Sequence, residues 1–565
     1  MTMNVMKDIS IRSNVAWLIV VAIMVPQILS GQQEEVRVVK PYTPTLSGAH
    51  KIELLPSLEG EIDFQSPEFE YHLYPKRYDS EYRIEPITAA RMVKMPLNKL
   101  YKSQITLGMG NYVTPLVELS LNQLRSRNGT FGLNIRHHSM NGKVKLENDL
   151  KAPAGFNENK AEIYGSRFMK KSVLDYQAGV SYNSYVHYGV DPVLDTVLSR
   201  EDAVHPYFTA EGELGLHSMN ADSFHFNYDA SLDYYYFTHQ FEQVEHGAEL
   251  DFKFNKSLRA IDIAGDAGGA FYGHYPDWDT VLAHHTLFWL NPYVAKSSPE
   301  WRFTAGFNAY GEVRDGVFTP HFYPRASFQF NVVKEVIVPY FGVDGYLESN
   351  NYRATVEENP YVVPGLSLRP TSHKLIAYAG LKGKFSDAFV WNIKGSYSII
   401  DDQYFFINDT TNTLQNQFTV VYDDITLLNL HGEFAIRPSE AWKIFLKGNY
   451  YGYTMVREDH PWNKPAFDIS LQARYNMSDK ILINMGVYTI GSRYYKQFIA
   501  YEDKFLTQEN TLPLTVDANL GIEYRYSKLL SFWIRLNNVA AQKYYLYANY
   551  PSYRFRAMLG LTYAL

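Results

Sequence analysis

The chain has 565 residues, a net charge of −7 and a mean hydropathy of −0.28, which exclude a helical membrane protein and give nucleic-acid binding no electrostatic support. It has no cysteine, so a lipoprotein anchor, disulfides, thiol catalysis and thiolate metal sites are excluded. Aromatic residues make up 15 % of it and 46 are Tyr, a side chain that tolerates lipid on its ring and water on its hydroxyl.

The N-terminus carries one continuously apolar stretch, Val15 to Val25, too short to span a bilayer comfortably. Lys7 and Arg12 precede it and Leu29-Ser30-Gly31 follows, a small-residue site for cleavage before Gln32. This predicts a secretory signal peptide over 1–31; a buried N-terminal strand or helix is the alternative. Between Gln32 and Leu100, prolines from Pro41 to Pro96 interrupt the chain, and proline blocks helix and ladder hydrogen bonding alike. The segment 32–100 is expected to be an extended or irregular periplasmic arm, either partly folded into a barrel mouth or a disordered linker.

From Tyr101 onward the pattern is hairpin after hairpin, and 101–565 is expected to be an all-β, antiparallel transmembrane barrel. Phe467, Ile469, Leu471, Ala473 and Tyr475 alternate with Asp468, Ser470, Gln472, Arg474 and Asn476. A turn at Ser478-Asp479-Lys480 then reverses the chain into Ile481, Ile483, Met485 and Val487. In Leu514 to Ser527, Leu520 and Ile522 share one face while Asp517, Asn519, Glu523 and Arg525 share the other. Ser552 to Leu565 places Tyr553, Phe555, Leu559, Leu561, Tyr563 and Leu565 on an oily face and Arg554, Arg556, Gly560 and Thr562 on a wet or small one. Successive strand side chains point to opposite faces. One apolar and one charged face suit lipid outside and a hydrated lumen inside, with no second protein layer.

Short turns are expected near Asn128-Gly129, Lys171-Ser172, Asn220-Ala221, Asn255-Lys256, Ser297-Ser298, Lys334-Glu335, Ser386-Asp387, Pro438-Ser439, Asp479 and Lys528. Longer polar connections run from Asp191 to Val204, Asn350 to Ser372, Arg457 to Pro465 and Phe498 to Thr511. Short turns on one side and long loops on the other are the mark of outer-membrane barrels, with the short side and both termini periplasmic. The spacing gives on the order of 22 strands, with roughly 18 to 24 as the range.

Candidate catalytic residues are few. His217-Ser218 and His225 lie near a turn on the periplasmic side, the wrong end for an outer-leaflet lipase. Asp277, Asp279, His284 and His285 border an outer loop, yet adjacent histidines sit on opposite faces of a strand and cannot serve one site. His137-His138 has the same difficulty, and a loop Ca²⁺ contact or plain solvation suits the first set better. Asp401-Asp402 and Asp423-Asp424 are expected to keep a loop hydrated. No catalytic residue, cofactor or metal is assigned, and the chain is not expected to be an enzyme.

Arg535-Leu536-Asn537-Asn538-Val539, then Lys543-Tyr544-Tyr545, Tyr550-Pro551 and Leu559-Gly560-Leu561-Thr562-Tyr563 resembles the end of TonB-dependent receptor barrels, the tyrosine-rich loops looking like the Bacteroidetes-type versions. Leu565 departs from that family's terminal aromatic. The resemblance implies that Leu559, Leu561, Tyr563 and Leu565 form a signal to the barrel-assembly machinery. It also implies an N-terminal plug, and the proline-broken arm is too short for a full one, so such a lumen would be sealed only if outer loops folded inward. Glu34, Glu35, Val36, Arg37, Val38 and Val39 faintly resemble a TonB box, or serve as a partner-binding segment.

Three functions follow from the sequence. The first is passage of a solute or macromolecule across the outer membrane, alone or with a partner protein. The second is an accessory or scaffold barrel of an envelope assembly, and the third a rim-located hydrolase. The expected partners are outer-membrane lipid, the assembly machinery and periplasmic or outer-membrane proteins, with no nucleic acid.

Overall fold

The computed structural model describes residues 101–565 apart from 124–125, 195, 220–224, 240–242, 259–260, 276–282, 334, 410–412 and 502–503. The described residues all belong to one compact unit. The expected signal peptide, the arm and the Glu34 to Val39 segment lie outside the described residues.

The strands follow one another along the chain. The first eight are β1 (Ser103–Gly110), β2 (Thr114–Asn122), β3 (Gly129–Lys145), β4 (Lys151–Phe168), β5 (Ser172–Val186), β6 (Val204–Ser218), β7 (Asn227–His239) and β8 (Val244–Leu258). Next come β9 (Ile261–Tyr275), β10 (Ala283–Ser297), β11 (Trp301–Arg314), β12 (Val317–Phe330), β13 (Val338–Glu348), β14 (Thr371–Ser386), β15 (Phe389–Asn408) and β16 (Phe418–Ser439). The last are β17 (Trp442–Met455), β18 (Phe467–Met477), β19 (Ile481–Ile490), β20 (Arg493–Tyr501), β21 (Lys504–Leu512), β22 (Thr515–Arg525), β23 (Leu530–Asn537) and β24 (Arg556–Ala564). All but β20 and β21 form one antiparallel 22-stranded sheet that closes where β1 meets β24, Gln104 opposite Ala564 and Gly110 opposite Met558. The expected barrel and its strand count are the observed ones.

Local chemistry accounts for the turns. Ser478 and Asp479 take φ of 52° and 58°, a left-handed region that short polar residues tolerate. Asn476 fixes that turn by donating to Asp479 Oδ1 at 2.6 Å and accepting its N–H at 2.9 Å. The other described short turns lie at or within a few residues of the expected positions, although β8 runs through Asn255-Lys256 to Leu258 and β16 through Pro438-Ser439. The long connection expected over 498–511 lies between β19 and β22, and most of it belongs to the β20–β21 hairpin, which stands outside the barrel sheet.

The two faces are chemically distinct. Leu107, Met109, Leu214, Leu232, Leu250, Ile469, Leu471, Ile534 and Leu559 are exposed on the outer face, where hydrocarbon covers apolar side chains at no cost. At the closure seam the inner face carries Gly108, Gly560 and Trp533, and a Cβ on Gly560 would lie 2.2 Å from the Trp533 ring. The indole therefore lies flat over the seam, with the Arg535 guanidinium 4.3 Å from its ring centroid. One assignment needs correction. The last strand begins at Arg556, and Ser552 to Phe555 belong to the preceding loop. Tyr553, expected to face lipid, instead packs 4.7 Å from Tyr112 and against the apolar core at the loop end. Leu559 and Leu565 remain outward and exposed.

Candidate functional site

At the loop end the long connections converge into a lid with a core of its own. Tyr188, Tyr352, Tyr361, Val362, Phe418 and Tyr550 are buried together, although they come from connections or strand ends far apart around the barrel. Tyr361 stacks on Tyr550 at 3.7 Å between ring centroids, and Tyr188 meets Tyr550 edge-on at 5.0 Å. Gly189 makes this possible, since a Cβ there would lie 2.3 Å from the Tyr550 ring. Burial raises the phenol pKa values of Tyr188, Tyr361 and Tyr550, so all three stay neutral donors.

Hydrogen bonds join the same loops. Tyr550 donates to the Asn416 carbonyl, and Asn416 Nδ2 donates to the His187 carbonyl at 2.9 Å. Asn416 lies in the β15–β16 connection and His187 in the β5–β6 connection, nearly opposite in the ring order. His187 Nε2 lies 2.9 Å from the Pro360 carbonyl, which can only accept, so that nitrogen carries the proton. Burial, followed by the neighbouring His205, holds the His187 pKa well below its usual value. Gln497 of the β20–β21 hairpin donates to Asp191 at 2.9 Å, and Arg493 donates to the Leu546 and Tyr545 carbonyls at 2.7 and 2.5 Å. Asn538, fully buried at a φ of 49°, donates to the Gln542 and Tyr553 carbonyls at 2.7 and 3.2 Å and so shapes the β23–β24 loop. The C-terminal residues that carry the family resemblance thus hold the lid.

The lid is also fixed to the wall. Asn351 caps the helix Tyr352–Glu358 by accepting from Ala354 N–H at 2.8 Å. Glu245 of β8 accepts the Tyr352 and Arg353 N–H groups at 2.7 and 3.0 Å, a carboxylate placed at the positive end of the helix. Arg353 bridges Glu211 of β6 at 2.7 Å and Glu357 at 3.0 Å, over the Tyr235 ring. Below the lid the inner wall is charged and wet: the side chains of Arg136 and Lys160 remain 52 % and 47 % exposed. Glu213, Asp233 and Glu249 stand directly opposite one another across β6, β7 and β8, with Asp175 and Asp251 nearby. Lys394, Lys447, Arg474, Arg525 and Arg535 line the other sector.

The residues considered for catalysis do not assemble. His217 faces inward and pairs with Asp175 at 3.0 Å, whereas Ser218 bonds the backbone of Tyr228. His285 is buried and lies 3.1 Å from Ser349 Oγ, while His284 is exposed on the opposite face; Asp277 and Asp279 lie outside the described residues. His137 bonds Asn159 at 2.7 Å, and His138 on the other face meets the Phe156 ring edge-on at 4.9 Å. Among the described residues no group of carboxylates and histidines is arranged to hold a metal.

The aspartate pairs correct another expectation. Asp423 is fully buried and accepts the N–H groups of Val456, Arg457 and Glu458 at 3.2, 3.0 and 2.9 Å, which anchors the β17–β18 loop. Asp424 pairs with Arg457, Asp401 with Lys374, and Asp402 with Arg369 at 3.1 Å. These carboxylates organise structure rather than simply hydrating a loop. Nothing local distinguishes Asp423 from Asp424 in the sequence, because its partners lie more than thirty residues away.

No family model matches this chain, and no curated protein is recovered as a relative. Solved structures share its fold. The ferripyoverdine receptor of the outer membrane of Pseudomonas aeruginosa superposes with a TM-score of 0.60 at 11 % identity, covering 82 % of this chain and 72 % of the receptor. The ferric enterobactin receptor of the same organism gives 0.60 at 11 %, covering 82 % and 81 %. The ferric-catecholate import receptor of E. coli K12 gives 0.59 at 10 %, covering 82 % of each chain. The barrel shares its fold with these outer-membrane receptors.

Proposed function

We propose that this chain is a TonB-dependent-receptor-like outer-membrane barrel that mediates passage of a solute or macromolecule, with its own loop lid as the outer gate. One observation carries the reading: a charged, hydrated inner wall lies beneath a lid whose joints cross the whole mouth. A barrel that only displays loops needs no charged lumen, and an open pore needs no apolar lid core. The solved receptors that share the fold handle ferric chelates, which supports transport without naming the cargo here. In this reading the turn end is periplasmic, residues 1–31 are a signal peptide, and the arm 32–100 engages TonB through Glu34 to Val39 or binds another envelope protein.

The scaffold reading remains the rival, favoured by how completely the lid is packed. Swelling of vesicles in sugar solutions separates the two. Transport is supported if Tyr361→Ala/Tyr550→Ala barrels admit small sugars and intact ones do not. Barrels that exclude sugars with the lid broken, yet co-purify with envelope proteins through Glu34 to Pro96, identify a scaffold.

A further inference from the structure

The barrel wall has one weak seam. The β12–β13 ladder contains only the pairs from Ala326↔Val343 to Gln329↔Tyr340. Above Ala326 the ladder stops, although β12 stays paired with β11 and β13 with β14 along their lengths, and the two strands touch through side chains: a Cβ on Gly345 would lie 2.9 Å from Tyr323 Cβ. The sequence supplies the cause: Pro320 and Pro324 have no N–H to donate, and the register shifts at Gly345. Side chains latch the seam. Asn308 of β11 reaches past β12 to donate to the Gly345 carbonyl at 2.7 Å and to Asp344 Oδ1 at 3.0 Å. The Tyr323 hydroxyl of β12 reaches past β13 to Ser372 Oγ at 2.8 Å.

Both faces of this seam are apolar. Outside, Phe322 is 74 % exposed, more than any other large apolar side chain in a described strand. Inside, Leu287, Tyr323 and Leu347 form a buried cluster with Tyr310 against it. His321, 3.3 Å from Glu312, and Arg325, 3.5 Å from Asp266, supply polar groups close by.

We propose that this seam, shut here by its side-chain latches, opens sideways between lumen and bilayer to take an acyl-chain amphiphile, its polar head toward the lumen and its chain toward the lipid. The proposal rests on the transport reading and adds to it a substrate class and a route. Unpaired backbone groups are not left facing hydrocarbon, so the seam lies at headgroup level, where water or a polar head satisfies them. A partner's β-strand is a poorer occupant, because Pro320 and Pro324 remove donors that an added strand would need.

The absence of cysteine makes the test direct. Single-cysteine variants Tyr310→Cys, Phe322→Cys and Asp233→Cys, each carrying a nitrobenzoxadiazole label, are reconstituted in phosphatidylcholine vesicles with or without nitroxide-bearing acyl chains. The inner label at 310 should be quenched at least half as strongly as the outer one at 322, and the one at 233 about tenfold less. Tyr323→Phe, which keeps the ring and loses the latch, should raise quenching at 310 by roughly twofold. Quenching at 310 no stronger than at 233 overturns the proposal. Planar-bilayer conductance scores transport separately. Quenching at 310 in a barrel that never conducts, even with its lid broken, supports a lipid slot and removes transport; conductance without that quenching removes the slot alone.

Discussion

Tyr361 and Tyr550 stack with ring centroids 3.7 Å apart at 23°, one ring from the β13–β14 connection and the other from the β23–β24 connection. Rooted far apart on the barrel rim, these loops meet only because both fold inward. Such a pair adds about 0.5–1.5 kcal/mol beyond the area it buries. The lid therefore depends on contacts between side chains far apart in sequence.

Gly189→Ala tests how closely that core is fitted. The added Cβ would lie 2.3 Å from the Tyr550 ring, so the ring or the β5–β6 loop must move. Overpacking of this kind costs typically about 1–3 kcal/mol. Limited proteolysis should cut 187–203 faster in the variant, while heat-modifiability gels still show a folded barrel.

Asp423→Ala should release the β17–β18 loop. The carboxylate is fully buried and serves three backbone N–H groups of that loop, and each donor left unpaired costs about 1–3 kcal/mol. Trypsin cleavage after Arg457 is the measurement: rapid in the variant, slow in the parent. Asp424→Ala, which loses an exposed ion pair, should change it little.

The inner and outer faces are separable by neighbouring residues. Leu232 is exposed on the outer face, and arginine there costs about 2–4 kcal/mol near the membrane midplane, enough to block assembly. Ser231, one residue away, faces the lumen opposite Asp251, and Ser231→Arg should assemble normally. Asn519 is a poorer control than its position in the pattern suggests, because its Oδ1 accepts the Asn538 N–H at the start of a lid loop. Heat-modifiability of Leu232→Arg beside Ser231→Arg gives the comparison.

Acid should loosen the lid through His187. Burial holds its folded pKa well below the usual value, so the closed lid keeps it neutral while an opened lid lets it titrate near about 6.5. The opened state binds the extra proton, so lid stability is flat above that pH and falls below it, by up to about 1.4 kcal/mol per pH unit. Hydrogen-exchange protection of 187–203 and 349–370, corrected for the intrinsic pH dependence of exchange, should fall between pH 7.5 and 5, and His187→Gln should reduce that fall, with the buried His205 and His239 keeping a share.

Period-2 patterning made the wall readable. The Phe467–Met477 strand and its Ser478–Lys480 turn are where the sequence placed them, because strand faces and turn chemistry are local. It misled where polar and apolar residues alternate for another reason: Tyr553 continues the pattern of the last strand, yet its ring is packed by Tyr112, more than four hundred residues away. The lid was legible only as a condition for sealing the lumen. Its contacts, such as Asn416 with His187 and Glu245 with Tyr352, span over a hundred residues and leave no mark in the local pattern.

Single-channel conductance tests the central claim, that the loops and not the arm close the mouth. Tyr361→Ala/Tyr550→Ala removes two buried rings at about 3–5 kcal/mol each and should convert a silent barrel into one with large, frequent openings. Deleting Glu34 to Pro96 with the lid intact should leave it silent. A large stable pore from the deletion alone, with the tyrosine variant still closed, would contradict the account.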